Sequence, residues 1–98
     1  MDPEVRERPE LRRFEIYSEG HLGGFVQYRL VGPVFDLYHA EVDPPLQGHG
    51  LGTELVHQTL EMLAQRHATV RATCPLVKSY LAEHPEYESL LETGRRDS

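Results

Sequence analysis

The first half of the chain alternates between apolar and polar residues, which is the pattern of strands with one buried face. Three segments show this alternation: residues 14–18, 22–30 and 34–42. The turn sequences Glu19-Gly20 and Gly32-Pro33 separate them, so we predict an antiparallel meander of three strands. Gly23 and Gly24 lie inside the second strand, and they predict a bulge or a close approach of a neighbouring backbone.

The second half changes to helical spacing. Pro44 and Pro45 end the third strand, and a loop rich in glycine follows. Residues 51–67 then predict an amphipathic helix, with an inner face of Leu55, Val56, Leu60, Leu63 and Ala64. Residues 68–73 predict a short strand. A strand, a crossover helix and a second strand imply parallel neighbours joined in the right-handed sense.

The end of the chain predicts two further helices. Pro75 suits the first turn of a helix that ends near His84. Pro85 stops that helix and opens a short one through residue 91, which Gly94 closes. We therefore predict an α/β (α+β) fold, in which an antiparallel β-meander is followed by a parallel β-α-β unit and C-terminal helices. Because parallel strands end at the same edge of a sheet, the residues that follow them should converge there.

Size and charge narrow the class of protein. At 98 residues the chain suits one domain with a modest core. We expect polar residues 1–12 to be a flexible arm and residues 13–93 to be the folded domain. The net charge of −6 disfavours nucleic acid as a partner. The single cysteine suits a reducing, cytoplasmic compartment, and no stretch is long and apolar enough to suggest a membrane span. No histidine pair has convincing metal-ligand spacing with a third ligand, so we predict no metal.

The loop Gln47-Gly48-His49-Gly50-Leu51-Gly52 runs directly into the first predicted helix. Glycine lets a ligand approach the backbone, and the first amides of a helix lack partners and carry partial positive charge. The loop is therefore a candidate phosphate site. A loop of the ATPase type needs a lysine after its last glycine, whereas Gly52 is followed by Thr53. A dinucleotide loop needs G-x-G-x-x-G and a later acidic residue, whereas the spacing here is G-x-G-x-G.

A third pattern fits this loop. The spacing Gln-x-x-Gly-x-Gly from Gln47 to Gly52 resembles the pyrophosphate loop of the GNAT (GCN5-related N-acetyltransferase) superfamily. The stretch His39-Ala40-Glu41-Val42 resembles the segment before that loop. The run Cys74-Pro75-Leu76-Val77-Lys78-Ser79-Tyr80-Leu81, followed by His84-Pro85-Glu86-Tyr87, resembles the signature of the small single-domain members. The resemblance covers roughly residues 14–91.

The resemblance implies a minimal acyl-CoA-binding fold that transfers an acetyl group from acetyl-CoA to an amine. The loop amides would bind the pyrophosphate of coenzyme A, and its pantetheine arm would lie between the two parallel strands. The cofactor-binding residues that the resemblance implies are Val42, Gln47, Gly48, His49, Gly50, Leu51, Gly52, Thr53, Cys74, Pro75 and Tyr80.

Two residues before the loop are candidate general bases. His39 and Glu41 lie two apart on a strand, hence on one face if no bulge intervenes. Histidine ordinarily titrates near neutral pH, whereas a glutamate needs a less polar environment or a water relay. Each also has a structural interpretation, as a histidine hydrogen-bonded at the sheet surface and as a solvated acid.

Two residues after the last strand are further catalytic candidates. Cys74 directly precedes a helix start, a position that favours the thiolate. It could accept acetyl covalently, contact the cofactor arm, or be a small buried hydrophobe. Tyr80 resembles in placement the tyrosine that protonates the departing thiolate in many GNAT enzymes. The alternative for Tyr80 is a packed core aromatic.

The chain departs from most GNAT enzymes in one respect. Those enzymes insert two helices between their first and second strands, and the helices wall the acceptor site, whereas here only Glu19-Gly20-His21 separates the strands. The acceptor half is thus open, for a large acceptor or for the second subunit of a homodimer. Three functions remain: an acyltransferase acting on an amine, a non-catalytic module that binds or senses coenzyme A or acetyl-CoA, and a structural domain whose loop is only a turn.

Overall fold

A five-stranded sheet carries two α-helices. The computed structural model of the chain describes residues 2–92. The strands are β1 (Glu4–Arg8), β2 (Arg13–Ser18), β3 (His21–Val31), β4 (Val34–Val42) and β5 (Thr69–Ala72). The helices are α1 (Leu51–Gln65) and α2 (Pro75–Glu83), and short 3-10 helices cover Pro9–Leu11, Pro44–Leu46 and Pro85–Leu90.

The sheet has the order β1-β2-β3-β4-β5, so every strand lies beside its neighbour in sequence. The first three pairings are antiparallel, and the pairing of β4 with β5 is parallel. The predicted fold class, a meander followed by a parallel β-α-β unit, is confirmed. Both parallel strands end at the edge from which α1 and α2 begin.

Helix α1 ends two residues earlier than the periodicity predicts. His67 takes a left-handed conformation with φ 57°, and the amide of Ala68 donates to the carbonyl of Leu63 at 3.0 Å. This is a Schellman ending, in which a left-handed residue reverses the chain and satisfies the last carbonyls. Strand β5 is correspondingly shorter than the predicted 68–73. Gly94, the predicted end of the last helix, lies outside the described residues.

The chain start is a strand, and the predicted flexible arm over residues 1–12 is wrong for most of its length. Strand β1 pairs with β2 from Glu4↔Tyr17 to Arg8↔Arg13. Its single apolar residue, Val5, is buried in the core. The side chain of Gln58 on α1 accepts from the Val5 amide and donates to the Pro3 carbonyl, both at 3.0 Å. One buried side chain gives almost no alternation, and for that reason the pattern did not reveal the strand.

Both helices contribute to one core on one face of the sheet. The core residues that are fully buried include Phe14, Ile16, Val26, Leu37, Leu55, Val56, Leu60, Leu63, Val70 and Val77. The opposite face carries exposed side chains, among them Arg29, Tyr38, His39 and Glu41. Within residues 2–92, no helix is long and apolar enough to cross a bilayer.

Two bulges interrupt the ladders around β3. The partners Ile16↔Gly24 and Tyr17↔Leu22 leave Gly23 unpaired, and the partners Gln27↔His39 and Tyr28↔Leu37 leave Tyr38 unpaired. Gly24 also meets β4 closely, because a Cβ there would lie 2.5 Å from the Glu41 carbonyl oxygen. The glycine pair therefore provides both a bulge and a close backbone approach. The second bulge, at Tyr38, had no sequence signal.

We expect Gly24→Ala to destabilise the fold by about 1–3 kcal/mol, because the new methyl group forces β3 and β4 apart beside Glu41. Gly52→Ala is the matched control. A Cβ at Gly52 would make only ordinary contacts, the nearest at 3.4 Å from Val42, and alanine favours the helix by up to about 1 kcal/mol. Urea unfolding measures both, and equal stabilities of the two variants would contradict this account.

Candidate functional site

Strands β4 and β5 part soon after they meet. Their pairing ends at Leu37↔Ala72. The amides of Thr73 and Cys74 both donate to the Leu37 carbonyl at 3.0 Å, and the chain then turns into α2. Strand β4 continues past the Tyr38 bulge to Val42. A gap therefore opens between the last residues of β4 and the start of α2.

The glycine loop lies at the mouth of this gap. Gly48 and Gly50 adopt left-handed conformations, with φ of 86° and 80°, and Gly50 is the N-cap of α1. A Cβ at Gly52 would lie 3.4 Å from Val42 and 3.6 Å from Leu76, so this glycine faces both sides of the gap. The Gln47 side chain donates to the Val42 carbonyl at 2.9 Å and ties the loop to the end of β4.

The loop leaves a row of amides without partners. The first hydrogen bond of α1 runs from the Glu54 amide to the Gly50 carbonyl at 3.0 Å. In the described part of the chain, the amides from Gly48 to Thr53 donate to no protein acceptor. Unpaired amides at a helix start form an anion site. No lysine or arginine stands between Arg29 and Arg66 in the sequence, so the loop would attract an anion through the partial positive charge of these amides.

The gap is lined by strand backbone. In an antiparallel ladder, alternate residues direct their amides and carbonyls to opposite sides of the strand. The Asp43 amide donates to the Gly23 carbonyl at 2.8 Å, so Val42 and Ala40 direct theirs away from β3. The bond from Gln47 to the Val42 carbonyl agrees with this assignment. The amides of Ala40 and Val42 therefore face the gap.

His39 and Glu41 lie together on the uncovered face of the sheet. The His39 Nε2 and Glu41 Oε2 atoms are 2.8 Å apart. Their side chains are 51% and 62% exposed, so both are open to solvent and to a ligand. Residues Leu22, Gly23, Gly24, Phe25, Glu41, Val42, Asp43 and Pro44 line a depression of about 230 Å³ beside this pair.

Cys74 lies at the gap with its side chain on the other face. It is the N-cap of α2, with Pro75 as the first helical residue, and it is 3% exposed within the apolar core. The structure thus brings the loop, Cys74 and the His39–Glu41 pair to one edge. It separates the thiol from His39 and Glu41 by the thickness of the sheet.

Tyr80 lies between α1 and α2. Its hydroxyl is 3.0 Å from His57 Nδ1, and its ring stacks on His84 with centroids 4.0 Å apart. Burial raises the pKa of Tyr80, which keeps the phenol protonated. Tyr80 and Thr53 line the same small cavity, about 120 Å³, between the two helices. This cavity connects the surroundings of Tyr80 with the first turn of α1.

Sequence reasoning missed several residues of this region. Asp36 is buried at the parting of the strands, where it accepts from Arg29 Nε and Thr73 Oγ1 at 3.0 Å. His57, Glu61 and Tyr87 surround the hydroxyl of Tyr80. Only the His84-Pro85-Glu86-Tyr87 motif pointed toward this cluster, because the other partners come from a helix whose polar residues look solvated.

The N-terminal segment also borders the loop. Strand β1 places Asp2 and Pro3 at a depression of about 630 Å³ that they share with His49, Gly50, Leu51, Glu54 and Gln58. The strand therefore contributes to the surroundings of the loop as well as to the sheet. Residues 2–92 contain no group of three or more His, Cys, Asp or Glu side chains placed to hold a metal ion.

Comparison with known proteins identifies the family. A model of GCN5-related N-acetyl-transferases matches residues 13–90. The chain belongs to the GCN5-related N-acetyltransferase family. This is a family of acyltransferases, and the sequence-based resemblance is confirmed at that level. The finer signature from Cys74 to Tyr87 stays a prediction.

A solved structure supports the fold. The solution NMR structure of a candidate GCN5-like N-acetyltransferase from Staphylococcus aureus superimposes with a TM-score of 0.67. The match covers 90% of this chain and 86% of that chain at 22% identity. At that identity the likeness shows the fold. Among curated proteins, none is significantly similar to this chain.

We expect Asp36→Asn to lower stability by about 1.5–3 kcal/mol, because an amide replaces a buried carboxylate that accepts two hydrogen bonds. The exposed Asp43→Asn is the control and should change stability little. Urea unfolding at neutral pH measures both. An Asp36 variant as stable as the control would show that the carboxylate does not hold the strands where they part.

Proposed function

We propose that the protein binds acetyl-CoA and transfers its acetyl group to an amine. One observation carries the proposal: six successive amides, Gly48 to Thr53, stand unpaired at the mouth of two diverging strands. The amides of Leu51, Gly52 and Thr53 lack partners as at any helix start, and the loop extends this row by three further amides, Gly48 to Gly50, two of them set by left-handed glycines. The family assignment supports the same proposal.

The residues present fit coenzyme A. The amides of the loop and of the first turn of α1 would hold its pyrophosphate. The amides of Ala40 and Val42 would hold the pantetheine arm in the gap, with Gly52 leaving room beside Val42 and Leu76. In this placement the thioester would lie toward the last residues of β4, whose His39 and Glu41 side chains are on the uncovered face. The bound thioester supplies an activated acetyl group at that end.

His39 and Glu41 would accept the proton of the attacking amine. Their hydrogen bond of 2.8 Å lets the carboxylate orient the imidazole. The adjacent depression combines the Phe25 ring with the carboxylates of Glu41 and Asp43. Such a surface attracts a protonated amine, and His39 can then take a proton from it.

The positions of Cys74 and Tyr80 favour direct transfer. The Cys74 side chain is packed in the core, on the face of the sheet opposite His39. An acetyl group on its sulfur would therefore lie away from the base that prepares the amine. We assign Cys74 to the wall of the gap, with Pro75 beside it, and Tyr80 to donation of a proton to the leaving thiolate.

The second candidate function is a coenzyme A-binding or sensing module without catalysis. The exposure of the His39–Glu41 pair favours it, because water competes with an amine at a site without walls. Single-turnover assays with acetyl-CoA and a mixed panel of amines separate the two functions. Binding without release of free thiol would support the module.

We expect Gly52→Leu to weaken binding of coenzyme A at least tenfold, about 1.4 kcal/mol, because the side chain fills the gap between Val42 and Leu76. Gly52→Ala is the matched control and should bind within about twofold of the parent chain. Isothermal titration measures both affinities. Equal binding by the leucine variant would place the cofactor elsewhere.

We expect His39→Gln to lower the rate of acetyl transfer by roughly 10²–10⁴, because general bases contribute about that much. Its affinity for coenzyme A should not change, since the ring lies on the uncovered face. Glu41→Gln should act in the same direction with a smaller effect, as a residue that orients the base. Steady-state rates across pH 6–9 measure these effects, and full activity of both variants would remove the pair from the mechanism.

Cys74→Ala provides the control for the transfer route. Direct transfer predicts that this variant keeps most of its activity. An acetyl adduct on Cys74 in acid-quenched parent protein, together with an inactive alanine variant, would instead establish the covalent route.

A further inference from the structure

Four polar side chains form a continuous chain between α1, α2 and the 3-10 helix Pro85–Leu90. The Tyr87 hydroxyl donates to Glu61 Oε2 at 2.5 Å and is 3.2 Å from His57 Nδ1. His57 Nδ1 is also 3.0 Å from the Tyr80 hydroxyl. Tyr80 and Tyr87 are 9% and 6% exposed, so these bonds are largely shielded from water.

The donor and acceptor roles of these four side chains follow from the number of hydrogens that each group carries. A carboxylate such as Glu61 can only accept a hydrogen bond, so Tyr87 donates its one hydroxyl hydrogen to Glu61. That bond is short and charge-assisted, and it prevails over a longer bond to a neutral ring. The Tyr87 hydroxyl can then form a hydrogen bond with His57 only as the acceptor. Nδ1 of His57 must therefore carry a hydrogen, which it shares between the hydroxyl oxygens of Tyr80 at 3.0 Å and Tyr87 at 3.2 Å.

We propose that Glu61, acting through Tyr87, fixes His57 as an Nδ1–H donor to Tyr80. Glu61, Tyr87 and His57 are then positioning residues for the Tyr80 hydroxyl. The oxygen of Tyr80 accepts from His57, so the hydrogen of Tyr80 does not point toward that ring. It can therefore be given to another acceptor, and Tyr80 also lines the cavity that it shares with Thr53.

The catalytic consequence of this arrangement, proton donation by Tyr80, rests on the proposed function. When an amine attacks the thioester carbonyl, the carbon–sulfur bond breaks and its electron pair remains on sulfur. Tyr80 gives its hydrogen to that sulfur, and the resulting phenolate accepts from His57 Nδ1–H. Solvent returns a proton to Tyr80, and the proton lost by the amine balances it. A tautomer with hydrogen only on Nε2 would draw the Tyr80 hydrogen toward the ring.

The charged neighbours do not reverse this arrangement. The groups that face the pair are Glu54 and Glu61 on α1, His84 at the end of α2, and Glu86 and Tyr87 on the 3-10 helix. The carboxylates favour a donor at His57. Both the neutral Nδ1–H form and the imidazolium carry hydrogen on Nδ1, so the direction of the bonds survives protonation of His57.

The tautomer of His57 tests the proposal directly. The full chain with ¹⁵N-labelled histidine is studied by long-range proton–nitrogen correlation at a pH where His57 is neutral. We expect Nδ1–H as its major form in the parent chain. Tyr87→Phe and Glu61→Ala should shift the population toward Nε2–H, the form that free histidine favours. Glu88→Gln, an exposed change on the same 3-10 helix, should leave the population unchanged.

Either of two results would overturn the proposal: a parent His57 that is mainly Nε2–H, or a tautomer ratio that Tyr87→Phe leaves unaltered. The first requires only the parent chain, so misfolding of a variant cannot obscure it. The measurement also does not depend on catalysis. A protein that shows the expected tautomer and no acetyl transfer would disprove the proposed function and leave this arrangement standing.

Where acetyl transfer is measured, its kinetics distinguish a positioning role of Tyr87 from a purely structural role. Tyr87→Phe should lower kcat roughly tenfold, a fraction of the 10²–10⁴ that acid–base catalysis supplies, with KM for acetyl-CoA unchanged. The loss should shrink with an activated thioester whose thiol is more acidic, because its departure needs less protonation. An equal loss with both thioesters would contradict a role at the leaving group.

Discussion

The early parting of β4 and β5 is the constraint on which the site depends. The Leu37 carbonyl takes the amides of both Thr73 and Cys74, and Asp36 holds the Thr73 hydroxyl from the uncovered face. The Tyr38 bulge then re-aims the rest of β4. A full ladder would have closed the sheet and paired the backbone of Ala40 and Val42. Because the ladder ends after a few residues, these hydrogen bonds are not formed. The polar gap that remains can hold a ligand.

Within residues 2–92, the uncovered face of the sheet is stabilised without a second helical layer. Glu15 is 1% exposed there, beneath Tyr17, Arg13 and Arg8, which donate to its carboxylate at 2.6, 2.7 and 3.2 Å. Burial opposes ionisation of Glu15, but these three donors outweigh it and hold its pKa below the ordinary value. Arg13 also lies over the Phe25 ring at 4.6 Å. Guanidinium groups and aromatic rings thus do the covering that helices do elsewhere. His39 and Glu41 therefore stay open to solvent on this face. Only the two-residue turn Glu19-Gly20 joins β2 to β3, so no helix between these strands covers the pair.

The sequence predicted the elements that bury a whole face and missed those that bury one side chain. The meander, α1, β5 and α2 each present several apolar residues at one period, and the structure has all of them. Strand β1 offers only Val5, so its pattern could not be told from a polar arm. The placement of His39 and Cys74 on opposite faces was also beyond the sequence, because it depends on the Tyr38 bulge and on the side from which α2 leaves. Tyr87 looked unremarkable because its partners, His57 and Glu61, are on another helix and become neighbours only after folding.

The absence of lysine and arginine between residues 30 and 65 bears on the anion site that we propose at the glycine loop. A site built on arginine or lysine attracts any phosphate through charge, and its strength falls as salt increases. A site built on amides recognises the shape of the anion, because each N–H must meet an oxygen at hydrogen-bond distance. In a chain of net charge −6, with Glu54 on the first turn of α1, general attraction for anions is weak. Gly48 and Gly50 therefore matter for their left-handed conformations, which only glycine adopts readily and which place successive amides along one surface. The recognition that we propose at this loop would depend on backbone geometry, and the parting of the strands provides the space beside it.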